Sequence, residues 1–169
     1  MSTQIRETTV RLNGNGNGAG AARKERAGVY VHRLEIKTTE RVEIRDLTAQ
    51  VEAAVREAGV DAGLVTLSSL HTTTAVFVNE PQSALLADVE QLLERLAPRG
   101  EDWKHNDPRY SDCDRRNADA HLRAIVLGGS VTLQIADGAL TMGQWQRILM
   151  AELDGPRTRN LVLQILAAP

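Results

Sequence analysis

Cysteine is almost missing from this chain. A single residue, Cys113, among 169 cannot form an internal disulfide, which excludes a disulfide-stapled fold and fits a reducing compartment. Aromatic residues are also scarce at 3%, too few for a base-stacking surface. There is no excess of positive charge. The formal net charge is −2, and the most basic short run, Arg23-Lys24-Glu25-Arg26, is broken by a glutamate. That excludes a general electrostatic field for nucleic acid. No apolar run approaches the length of a membrane span, and the N-terminus lacks the apolar core of a secretory signal. The expectation is a cytoplasmic protein with neither a nucleic-acid nor a membrane partner.

What is present suits one domain with a real core: 42% of the residues are hydrophobic and 25% charged. Residues 1–27, with the Gly/Asn-rich run 13–22, are expected to form a flexible tail, and 28–169 a single folded domain. The glycines of the tail do not match the G-x-G-x-x-G spacing of a dinucleotide loop.

Alternation predicts strands over 29–37 and 41–45 around a turn at 38–40. A helix is expected over 46–59, with Asp46 as N-cap and Gly59 as stop. Strands follow over 63–70 and 73–79. Pro81 fits the first turn of a second helix, with Leu85, Leu86, Val89, Leu92, Leu93 and Leu96 as its buried stripe and Pro98 and Gly100 beyond its end. Residues 101–120 have no apolar period, and a stretch of that length is usually functional or disordered. A short helix over 120–129, a hairpin turning at Asp137-Gly138, and a closing hairpin of 145–153 with 159–166 complete the chain. The order is ββα-ββα, a long loop, then βββ, which indicates an α+β fold of mainly antiparallel strands.

Three histidines, His71, His105 and His121, sit near irregular segments, where imidazoles serve as metal ligands or acid–base groups. Their wide spacing contains no local zinc motif, so they are either one convergent set or three separate side chains bonded to backbone or solvent. His32 falls mid-strand and reads as a plain surface or sheet position. Asn79 and Glu80 precede Pro81, where they either cap the helix or face a ligand. A glutamate there favours a metal-bridged phosphate over a bare one. Asp107, Arg109, Arg115 and Arg116 lie in the long loop, where carboxylates can hold a hard cation and guanidiniums can clamp phosphate. Cys113 lies between Asp112 and Asp114, whose charge disfavours a thiolate. Ser130 and Gln146 add a hydroxyl and an amide beside small residues, and Trp145 reads as core or subunit interface.

Two segments together resemble the YjbQ-like family. LHTTTAVFVNE (70–80) resembles its H-T-[TS]-A-x-[FLI]-x-[IVL]-N-E segment. The stretch from Asn117 to Leu166 resembles its second block, from A-H-[LI]-[KR]-A to a terminal E-x-D-G-P-R-x-R strand pair. The likeness spans roughly residues 29–166, with one departure: Thr141-Met142-Gly143-Gln144-Trp145 stands where L-G-T-W is commoner, so a hydroxyl beside Trp145 is missing. The resemblance implies a two-sheet β-sandwich with flanking helices, assembled as a homotrimer with sites near subunit boundaries. It also implies a secondary thiamine-phosphate synthase, joining hydroxymethylpyrimidine diphosphate to thiazole phosphate with release of pyrophosphate. On that reading His71, Glu80 and His121 are catalytic. Asn79, Arg109, Arg116, Ser130 and Gln146 bind the phosphorylated substrate, with Arg123 as a further candidate. A divalent cation, Mg²⁺ or Zn²⁺, sits on His71, His105 and His121, with Asp107 nearby. Two other readings stand beside it: a zinc hydrolase with Glu80 as base, and a non-enzymatic trimeric binding or scaffold protein.

Overall fold

The computed structural model describes residues 6–12 and 28–168, with side chains from residue 28 onward. Nine strands and three helices are described: β1 (Arg6–Leu12), β2 (Val29–Lys37), β3 (Glu43–Asp46), α1 (Thr48–Ala58), β4 (Gly63–Ser69), β5 (Thr74–Asn79), α2 (Ser83–Leu96), α3 (Ala118–Leu127), β6 (Ser130–Ala136), β7 (Ala139–Leu140), β8 (Arg147–Glu152) and β9 (Thr158–Ala167), with a 3₁₀ turn at Lys104–Asn106. The strands form a six-stranded sheet, β1-β2-β9-β4-β6-β7, and a three-stranded sheet, β3-β8-β5, antiparallel throughout. This is the expected α+β fold with two sheets and flanking helices. No described helix is long and apolar enough to cross a membrane.

The small sheet is the middle layer. Along β8, Ile148 and Met150 face the large sheet and α1 with Val76, while Leu149 and Ala151 face α2 and α3 with Ala75 and Phe77. Burial on both faces explains why β8 reads as a continuous apolar run instead of an alternating one. The large sheet adds Leu34, Ile36, Val65, Leu67, Leu161, Leu163 and Ile165 to the main core, and its other face is uncovered by any described helix. The sheet position expected for His32 is correct, on the inward face of β2.

Local signals held at several ends. Gly59 closes α1 in the left-handed region (φ 61°), with its N–H on Val55 O and Arg56 O. Asp137 and Gly138, at φ 51° and 73°, make the tight turn between β6 and β7. Other ends moved. Leu47 is the N-cap position of α1, and Asp46, one residue earlier, accepts the Thr48 N–H at 2.8 Å. The cap of α2 is Gln82, whose Oε1 accepts the Leu85 N–H, so Pro81 precedes the helix. The expected buried stripe of α2 is only half buried. Leu93 is enclosed and Leu86 and Val89 pack beside it, but Leu92 and Leu96 are more than half exposed. A helix lying on one face of a sheet needs only a narrow seam.

Pairing departs from sequence order. The expected hairpins 29–37/41–45 and 145–153/159–166 do not form: β2 and β9 lie in the large sheet, β3 and β8 in the small one. Arg6–Leu12, within the segment expected to be a tail, is a strand on β2; the Gly/Asn-rich run 13–22 lies outside the described residues.

Candidate functional site

The long aperiodic loop delivers one histidine to another. The 3₁₀ turn Lys104–Asn106 presents His105, and Asn106 Oδ1 accepts the Ala118 N–H at 3.0 Å, closing the start of α3. That bond fixes the turn against the first turn of α3, which carries His121. The two imidazoles meet edge to face, centroids 5.0 Å apart and planes at 87°. Burial holds the His121 pKa below the usual imidazole range. The neighbouring His105 pushes the same way, against the raising effects of Asp154 and Asp119.

Beside the pair lies a cluster of buried charge. Asp154, 5% exposed, accepts from Arg41 Nη1 (2.9 Å), Arg157 Nη2 (2.5 Å), Arg115 Nη1 (3.4 Å) and Asn117 Nδ2 (2.8 Å). Arg41 also reaches Asp119, at 3.5 Å. One carboxylate thus gathers three guanidiniums, and Arg115 remains largely open to solvent. Arg115 also lines an open cavity of about 820 Å³ with Arg99, Lys104, Arg109 and Arg116, against Glu101, Asp102 and Asp107. Cations outnumber carboxylates in its wall, which suits an anionic ligand. His105 lies between two residues of that wall, Lys104 and Asn106.

His71 takes a different place. Its Nε2 accepts the Asn160 N–H at 2.8 Å, which assigns the neutral ring with the proton on Nδ1. Burial depresses its pKa first, Arg159 adds to that, and Glu152 opposes it. Among the described residues no group of three or more His, Cys, Asp or Glu side chains could hold a metal ion. The residues of one chain therefore do not fit the three-histidine metal set of His71, His105 and His121. The physical reason is that the His71 ring nitrogen is already engaged by backbone.

The remaining candidates scatter. Glu80 is half-buried, and exposed Asn79 accepts the Glu80 N–H on its own Oδ1 at 2.9 Å, a local turn that caps no helix. Asp107 is held by Arg109, whose hydrogen bonds keep the carboxyl below the usual carboxylate range. Arg116 lies on the cavity wall at a φ of 49°. Arg123 is not available for phosphate: it is buried, donates to Ala97 O at 3.1 and 2.9 Å, and pairs with Glu94, tying the end of α2 to α3. Ser130 begins β6 opposite Ser68, and Gln146 Oε1 closes its own turn by accepting the Gly143 N–H. Trp145 is exposed and Cys113 half-buried. Sequence reasoning assigned no role to Glu152, Asp154, Arg157 and Arg159. The signal was there as E-x-D-G-P-R-x-R, charges alternating where two apolar strands meet.

UPF0047 YjbQ-like proteins match residues 32–168 as a family. The chain belongs to that family. A UPF0047 protein of Archaeoglobus fulgidus is 45% identical over 133 residues, 79% of this chain and 98% of its own length. One of Methanothermobacter thermautotrophicus is 39% identical over 141 residues, 83% of this chain and 94% of its own. A solved YbjQ-like protein of unknown function from Sulfolobus solfataricus superposes at a TM-score of 0.77 with 33% identity, covering 83% of this chain and 98% of its own. The family resemblance therefore holds, and the thiamine-phosphate synthase expectation attached to it is corrected. UPF0047 relatives carry no such activity in their descriptions, and the Sulfolobus member is described as of unknown function.

The His71 bond predicts a pH dependence. A histidine whose folded pKa lies below its unfolded value of about 6.5 binds its proton more readily when unfolded. Its contribution is complete above that value and is lost as pH falls toward the folded pKa. His71→Gln, which offers an amide oxygen to the Asn160 N–H without titrating, should flatten the fall in Tm between about pH 7 and pH 5. Thermal melts across that range check it; an unchanged slope would remove His71 from the account.

Proposed function

We propose that this UPF0047 protein is an enzyme acting on a small phosphorylated substrate, with His105 and His121 as its acid–base pair. The edge-to-face meeting of the two imidazoles carries the reading. Arg115 and the cationic wall of the adjoining cavity supply a phosphate-binding surface. A neutral His121 accepts a proton from an attacking water, and a protonated His105 returns one to the departing oxygen. A cytoplasmic location and a homotrimer belong to the same proposal. Ile125 and Val126 on α3 are exposed and apolar, as is Trp145, and these are residues that a neighbouring copy would cover.

The test is a thermal-shift series with orthophosphate, pyrophosphate and small phosphomonoesters at constant ionic strength. A ligand of the native state must raise Tm. No rise beyond that of chloride defeats the reading. With a phosphomonoester that turns over, His121→Ala should lower kcat by about 10²- to 10⁴-fold while phosphate affinity persists. Because the His121 pKa is depressed, the acid limb of kcat/KM should fall at a pH below about 6.5, since the base works only while neutral. A midpoint above that value contradicts the role given to His121.

A further inference from the structure

His105 and His121 meet, but different things hold them. His121 is half-buried on the first turn of α3. His105 is exposed on the 3₁₀ turn Lys104–Asn106, and an exposed side chain keeps its rotamer freedom unless a bond removes it. Ser111 supplies that bond. Its Oγ lies 3.4 Å from His105 Nδ1. Ser111 is itself pinned twice: its N–H donates to Asp107 O at 3.0 Å, and its Oγ accepts the Cys113 N–H at 3.1 Å. Asp107 in turn donates its N–H to Lys104 O at 3.2 Å, which folds this loop back onto the turn that carries His105. Fixed backbone therefore presents the hydroxyl to one particular ring nitrogen. At 3.4 Å the bond is long, and bonds of this kind tighten when a substrate closes on a site.

The chemistry selects the direction of the bond. A serine oxygen has two lone pairs and one proton. The Cys113 N–H takes one lone pair, and the other is left for a proton on His105 Nδ1. In the imidazolium both nitrogens carry protons, so Nδ1–H donates to Ser111. Loss of the Nε2 proton to a departing oxygen then leaves a neutral ring with its proton still on Nδ1 and the same bond in place. No group has to turn between the two states, which is what a preorganised acid needs. The opposite direction, with the hydroxyl donating to a bare Nδ1, breaks each time the ring is protonated. We propose that Ser111 is the positioning residue of His105, holding its Nδ1–H and leaving Nε2 as the nitrogen that gives and regains the proton. This role rests on the acid–base reading of the histidine pair, but the bond itself is tested without it.

Proton–nitrogen correlation NMR of the imidazole rings reads the tautomer directly in the full-length protein without substrate. A histidine of ordinary pKa, about 6.5, is neutral at about pH 8, and His105→Gln identifies the His105 signals by their loss. The natural chain and Ser111→Thr should carry the His105 proton on Nδ1. Ser111→Ala should shift the tautomer ratio about 3- to 10-fold toward Nε2–H, the weight of one hydrogen bond. His32, buried in β2, should keep its signals and so report an intact fold. A natural chain with its His105 proton on Nε2 overturns the proposal, as does an unchanged ratio in Ser111→Ala. With a phosphomonoester that turns over, Ser111→Ala should lower kcat by about 10- to 100-fold at unchanged KM, and Ser111→Thr should keep the natural rate. An unchanged kcat in Ser111→Ala overturns the positioning role. Failure of every phosphomonoester to turn over defeats the acid–base reading instead, and the tautomer alone then decides the bond.

Discussion

Glu152→Ala should cost about 3–5 kcal/mol of folding stability, the usual penalty for stranding a buried charge. Glu152 is fully enclosed, and its partner Arg159 is 2% exposed. The guanidinium donates to the carboxylate through Nε at 2.5 Å and also through Nη2, and Nη2 reaches Thr73 Oγ1 at 3.0 Å. The same carboxylate accepts from the Thr38 hydroxyl at 3.1 Å and from the Asp154 N–H at 2.8 Å. β8 ends at Glu152 and β9 carries Arg159, in different sheets, so the pair pins the small sheet to the large one. Truncating the acid leaves Arg159 without its anion and the Asp154 N–H without its acceptor, while the Thr38 hydroxyl keeps Arg157 O at 3.0 Å. Replacing both partners, as Glu152→Gln with Arg159→Met, should cost clearly less than Glu152→Ala with Arg159 intact, because no charge is left behind. Urea denaturation with unchanged m measures both. A loss below about 1 kcal/mol for Glu152→Ala would show the pair to be solvated in the native state.

How much of this was legible follows from range. Strand and helix identity is set by local alternation and punctuation, so β2, α1, the Asp137-Gly138 turn and the end of α3 were read nearly in place. Pairing is decided by which layer buries each face. Consecutive strands usually pair, but β2 and β3, β4 and β5, and β8 and β9 each divide between the two sheets. No short-range pattern announces that division. His105 and His121 were named for their chemistry, but their contact depends on Asn106 reaching Ala118 across twelve residues, which periodicity cannot see. His71 was grouped with them by residue type, and a single backbone N–H from β9 sets it apart. The Glu152 and Asp154 clusters escaped because buried charge is unexpected: charged residues beside apolar strands ordinarily read as solvated ends.

Asp154→Asn should destabilise the protein by about 3 kcal/mol and make its stability depend on phosphate. The aspartate is the anion on which Arg41, Arg115 and Arg157 converge. Asparagine keeps the shape and can keep the bond to Asn117, but it leaves three guanidiniums around a neutral group. Their mutual repulsion then opposes folding, and an added anion relieves it. Arg115 is well placed to recruit that anion, because its side chain is 58% exposed and its bond to Asp154 is long at 3.4 Å. Millimolar orthophosphate should therefore raise the Tm of Asp154→Asn more than that of the natural chain, at equal ionic strength. Adding Arg115→Met should remove the difference by deleting the most accessible of the stranded cations. Equal phosphate increments in the natural chain and in Asp154→Asn would mean that phosphate does not bind at this cluster. The cavity wall of Arg99, Lys104, Arg109 and Arg116 would then be the anion surface left to test beside His105.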